Sequence, residues 1–77
     1  MGEKQQILYM QTRLLRRASE EWNLPMQTVA TLFARFGVFS YIEKEFGLLH
    51  VEGDDAVLEE ITAYLKNKEE SGLEKID

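Results

Sequence analysis

"VATLFARFGVFSYI", residues 29–42, decides the fold. Val29, Leu32, Phe33 and Phe36 fall at i, i+3, i+4 and i+7, which is the repeat of a helix with one apolar face and not of a strand. Gly37 follows at once, where a left-handed residue closes a helix. Beyond it, Val38, Tyr41, Ile42 and Phe46 restart the same spacing, with Phe39 adding bulk. The segment therefore predicts two helices meeting at a glycine corner.

Outward from this corner the same repeat recurs twice. Upstream, Ile7, Met10, Leu14, Ala18 and Trp22 step by three or four, with Leu8 and Leu15 widening the stripe, so helix 1 should run from about Glu3 to Trp22. Asn23 and Pro25 stop it, and Pro25 suits the first turn of helix 2 because its missing N–H would be unpaired there anyway. Downstream, helix 3 is expected to end at Phe46, with Gly47 as a second stop. Leu48 to Gly53 then reads as an extended link anchored by Leu49 and Val51. Asp54 or Asp55 would cap helix 4, whose stripe is Val57, Leu58, Ile61, Tyr64 and Leu65 and whose end is near Lys68. Glu59 and Glu60 at its start and Lys66 and Lys68 at its end suit the helix dipole. The expectation is an all-α chain: one domain over residues 1–68, a compact bundle of about four short helices, with a flexible acidic tail over 69–77.

Composition narrows the function. A chain of 77 residues holds one small core and buries about 60–65% of its unfolded surface. It has no cysteine and one histidine, so disulfides, thiolate metal sites and histidine-rich metal centres are excluded. No cofactor is implied. Stability must come from helix packing or from a face buried against a partner. No apolar run approaches the ~20 residues of a membrane span, and the start lacks a signal-peptide layout, so a cytoplasmic protein without a membrane role is expected. Net charge is −5, split as +2 over residues 1–38 and −7 over residues 39–77. Such a protein repels phosphate backbones unless a basic patch is segregated on one face.

Five residues stand out as candidates for interaction: Arg13, Arg16, Arg17, Phe39 and His50. The three arginines of helix 1 can grip phosphate or an acidic partner. As a plain solvated face they would instead form Arg16–Glu20 and Arg17–Glu21 pairs. The aromatics are a large payload, and Phe36, Phe39 and Tyr41 cannot all point one way from the corner. Phe39 is the best candidate for exposure as part of a protein-binding patch, against a fully internal aromatic core. His50 has Glu52, Asp54 and Asp55 close in sequence, yet catalysis needs a placed partner group, and a partly buried histidine fixing the link by hydrogen bonds is the simpler reading. The acidic run fails as a calcium loop, because Ala56 stands at the fifth position from Glu52 and no glycine follows at the sixth. Helices 2 and 3 suggest a helix-turn-helix, but the exposed set Ser40, Glu43, Lys44 and Glu45 repels DNA. Phosphate-loop, dinucleotide, zinc-protease and serine-elbow motifs are absent.

FARFGVFSYI and LLHVEG, within a segment spanning about residues 7–65, resemble domain-of-unknown-function family 3791, a group of very small bacterial proteins. The resemblance rests on a first amphipathic helix, the Phe36-Gly37 helix end, an apolar helix like VFSYI, the Leu49-His50 pair and an acidic last helix like VLEEITAYL. Leu24 departs from the Ser or Thr that often precedes the proline of helix 2, and Gly47-Leu48 is less polar than the approach to Leu-His in the family. The resemblance carries no catalytic signature. It implies an accessory or regulatory partner, in a toxin–antitoxin-like module or beside an ADP-ribosyltransferase-like neighbour. Together these readings favour a non-enzymatic protein–protein interaction module, with a protein partner or a second copy. The alternative is a small nucleic-acid-binding regulator using Arg13, Arg16, Arg17 and Arg35.

Overall fold

The computed structural model describes the backbone of residues 2–76 and the side chains of residues 2–68. Four α-helices follow one another: α1 (Glu3–Trp22), α2 (Met26–Arg35), α3 (Val38–Leu49) and α4 (Asp54–Ile76). α1 packs against all three others, and α2 packs against α3. The described residues include no strand.

Each helix buries the stripe that its repeat lays out. α1 contributes Ile7, Met10, Leu14 and Ala18; α2 contributes Val29 and Phe33; α4 contributes Val57, Leu58 and Ile61. Phe33 is wholly buried and joins two edge-to-face ring pairs, with Trp22 at 6.2 Å and Phe39 at 5.6 Å. Asn23 takes the left-handed conformation that ends α1, and Leu24 N–H returns to the Ser19 carbonyl. Ser19 Oγ donates to the Leu24 carbonyl, so the chain is turned tightly into Pro25. Pro25 lies just ahead of α2, one residue before the expected start in the first turn, and its carbonyl accepts the Val29 N–H. Gly37 has φ 72, ends α2 and starts α3 by accepting the Tyr41 N–H.

The second half departs from expectation in three places. α3 does not stop at Phe46 or Gly47 but runs to Leu49, so Gly47 is an interior helical residue and Leu48–Gly53 is not an extended link. The reason is the stripe: Ile42, Phe46 and Leu49 continue at i, i+4 and i+7, and all three are buried. Burying a leucine contributes about 1.5–3 kcal/mol, more than the ~1 kcal/mol that an interior glycine costs. Leu49 is an anchor; Val51, 74% exposed, is not. Leu8 likewise does not widen the buried stripe of α1, being 60% exposed. Third, α4 passes the expected end at Lys68 and continues to Ile76, with no proline to break it. The side chains behind the expected flexible acidic tail, 69–77, lie outside the described residues.

Candidate interaction surface

Arg13 and Arg17 sit one turn apart on α1 and face the start of α4. Gly53, at φ 93, accepts the Val57 N–H, which leaves Asp54 and Asp55 inside the first turn of α4 and not at its cap. Their carboxylates turn to α1. Arg13 Nε donates to Asp54 Oδ2 at 3.0 Å and its Nη2 donates to Oδ1 at 3.2 Å, a two-pronged pair. Arg17 donates to Asp55. The hydrogen bond to Asp54 holds the Arg13 guanidinium above its ordinary pKa, against a smaller opposing effect of burial. The expected Arg17–Glu21 pairing within α1 is thus replaced by one across two helices. Arg16 is exposed and pairs with no carboxylate among the described residues, so the expected Arg16–Glu20 pair is not formed.

Phe39 is half-buried, not a projecting side chain. It floors an open groove between α1 and α3, about 270 Å³ in volume, whose other walls are Leu8, Gln11, Thr12 and Leu15. Gln11 Nε2 donates to the Phe39 carbonyl at 3.0 Å, tying the two walls together. Thr12 Oγ1 is satisfied by the Leu8 carbonyl one turn back. The groove continues past Leu8 toward Lys4 and Glu43. Arg16 lies one helical turn beyond Thr12, at the far end of the same face.

His50 caps α3 and is exposed. Its Nδ1 lies 2.9 Å from the Phe46 carbonyl, and its ring stacks on Phe46 at 5.1 Å. No carboxylate or hydroxyl bonds to it among the described residues. The histidine therefore does fix the end of α3 by a hydrogen bond, from the surface and not from a partly buried position. Phe39 and His50 stand at opposite ends of α3, about 16 Å apart along its axis at about 1.5 Å per residue. The five candidate residues do not form one site: two arginines are held by α4, Phe39 and Arg16 belong to the α1–α3 face, and His50 stands apart.

Two features escaped the reading of the sequence. Tyr64 Oη donates to the Phe36 carbonyl at 3.0 Å, and its ring stacks on Tyr41 at 4.9 Å, so α4 clamps the glycine corner. Around that stack stand Glu45, Glu52 and Glu60. Burial pushes the Tyr41 phenol up, and the charges of Glu60, Glu45 and Glu52 push it further. A hydrogen bond with Glu52, then burial and the Glu52 charge, raise the Glu60 carboxyl above its ordinary 4.5. Neither contact has a local sequence signal, because the partners are far apart along the chain. Among the described residues no group of three or more His, Asp or Glu side chains is placed to hold a metal ion. Among the described residues no helix is long and apolar enough to cross a membrane.

Comparison with known proteins adds the family. No curated protein and no solved structure matches the chain. A family model described as "Protein of unknown function (DUF3791)" matches residues 9–68, which takes in most of α1, all of α2 and α3, and α4 through Lys68. The chain belongs to the family of proteins of unknown function DUF3791.

Proposed function

We propose that this chain is a bacterial, cytoplasmic, non-catalytic interaction module that regulates a partner protein by receiving one of its amphipathic helices. The observation that supports this is the α1–α3 groove: an aromatic floor at Phe39, an exposed apolar rim at Leu8, and polar residues Lys4 and Glu43 at one end, with Arg16 one helical turn past Thr12 toward the other. A helix presenting apolar residues at i, i+4 and i+7 fits such a groove, and polar ends set its direction. The arginine pair of α1 is not the docking face in this reading, since Arg13 and Arg17 are engaged by Asp54 and Asp55. The family resemblance suggests an ADP-ribosyltransferase-like neighbour as the first partner to try.

Co-expression with the neighbouring gene product, followed by size-exclusion chromatography with light scattering, tests the proposal. A complex should form, and Leu8→Glu should weaken it at least about tenfold, the loss typical of a central apolar contact, while the helical circular dichroism stays unchanged. A complex indifferent to Leu8→Glu, or a strictly monomeric protein that captures nothing, sinks it. A homodimer abolished by Leu8→Glu would keep the groove and make the partner a second copy. Fluorescence anisotropy with a DNA duplex addresses the alternative: binding at low salt that disappears in Arg16→Gln/Arg35→Gln would replace the protein partner with nucleic acid.

A further inference from the structure

A second cavity, distinct in its lining from the Phe39 groove, lies where the last turns of α1 and α2 meet the middle of α4. It measures about 390 Å³, within the size range of small-ligand sites. Its apolar surface is made by Trp22, Leu32, Phe36 and Leu65, all half-buried. Arg35 and Lys66 also line it, and both are exposed. Thr62 completes the lining, with its hydroxyl already donated to the Leu58 carbonyl.

The charges in and around this cavity are sorted. Arg35 and Lys66 pair with no carboxylate among the described residues, although the chain carries a net charge of −5. The Arg35 guanidinium lies over the Phe36 ring, 5.8 Å from its centroid, which holds the cation close to the apolar floor. Trp22 and Thr62 also line an adjoining cavity of about 280 Å³ that includes Glu21, Asp55 and Glu59, with Arg17 there already bound to Asp55. The first cavity thus holds two cations that pair with no carboxylate among the described residues, and the adjoining one holds three carboxylates. An anion is attracted to the first and repelled by the second.

We propose that the Trp22–Phe36 cavity binds a small amphiphilic carboxylate, such as a medium-chain aliphatic acid. The carboxylate lies between Arg35 and Lys66, and the apolar chain covers Trp22, Leu32, Phe36 and Leu65. An apolar floor beside two cations matches a ligand with one hydrophobic end and one negative end. A neutral hydrocarbon would leave the cations unused, and a cationic amphiphile would be repelled. The site shares no lining residue with the groove proposed for the partner helix, so either can stand without the other.

Trp22 is the sole tryptophan, so its fluorescence reports on the two cavities that it lines, and the Arg35 and Lys66 variants assign the response to this one. Titration of the full chain with dissolved decanoate should give a saturable change in Trp22 emission, with a Kd on the order of 1 mM for a ligand of this size. Arg35→Gln/Lys66→Gln should weaken binding by about fivefold or more, as expected for two solvent-exposed ion pairs. Each single variant should weaken it by about twofold, which keeps the test open if the double variant folds poorly. Arg16→Gln, on another face, should bind as the parent does. Decyltrimethylammonium should give no saturable change. Three outcomes overturn the proposal: no saturable response to decanoate at about ten times that Kd, an equal response to the cationic amphiphile, or undiminished affinity once the two cations are removed.

Discussion

Gly37 and Gly47 are the same residue type with opposite duties. Gly37 sits at φ 72, a conformation that costs a side chain roughly 1–2 kcal/mol. A Cβ there would meet only the Tyr64 hydroxyl at 3.6 Å, an ordinary contact, so the cost of Gly37→Ala is backbone strain. Gly47 is inside α3 with open space around it. Gly47→Ala should therefore stabilise the protein by about 0.5–1 kcal/mol through helix propensity, while Gly37→Ala should destabilise it by about 1–2 kcal/mol. Urea denaturation of the two variants checks both signs. A destabilised Gly47→Ala protein would mean that the chain turns at Gly47 after all. At this scale His50 also has an account: its Nδ1 contact and its stacking are both with Phe46, within one turn of its own helix.

Between elements, the ion pairs from α1 to α4 also had no local signal. Arg13 and Arg17 are spaced by one helical turn, and Asp54 and Asp55 are adjacent in the first turn of α4. Two guanidiniums thus meet two carboxylates at a helix N-terminus, where negative charge is already favoured. The Arg13 side chain is 51% exposed and that of Asp54 27%, so water screens the pair. A double-mutant cycle with Arg13→Gln and Asp54→Asn should give a coupling of about 0.5–1 kcal/mol. That coupling should shrink in about 1 M salt, where the screening length is about 3 Å. Coupling unchanged by salt would show that packing of the arginine stem, and not charge, holds the two helices there.

At the scale of the whole molecule, three elements bring like charges together: Glu45 of α3, Glu52 of the α3–α4 turn and Glu60 of α4 surround Tyr41. Glu60 has its folded-state pKa raised, so the folded protein holds that proton more tightly than the unfolded chain does. The corresponding stabilisation is present below the unfolded value and is lost as pH rises through the raised one. Above it the charge of Glu60 meets the like charge of Glu52, and the two repel. Glu60→Gln should then raise stability at pH 7 by about 0.2–0.5 kcal/mol after solvent screening, and should change nothing below about pH 4. Thermal melts at the two pH values check the sign. A loss of stability at pH 7 would show that the Glu60 carboxylate is engaged favourably elsewhere.

Four helices and their buried stripes were legible because a helix's face is written locally, in spacings of three and four that any window of the chain displays. Val29 and Phe33, Val38 and Ile42, Val57 and Ile61 all went inward as their spacing required. Gly37 was legible as a corner because its positive φ is a property of one residue and its two neighbours. Gly47 was not, since a glycine marks a stop only if nothing beyond it is buried, and the burial of Leu49 is decided by the assembled core and not by its neighbours in the chain. Of the candidate site, the residue types were readable and their partners were not. The sequence by itself determined the helical class, the core stripes and the lack of thiol chemistry, all of which follow from composition and short-range periodicity. Only the tertiary structure decided that Arg13 and Arg17 are engaged, that Phe39 floors a groove, and that Trp22, Arg35 and Lys66 share a cavity. Those are juxtapositions of residues far apart in the chain, and they exist only once α1 has packed against all three of the other helices.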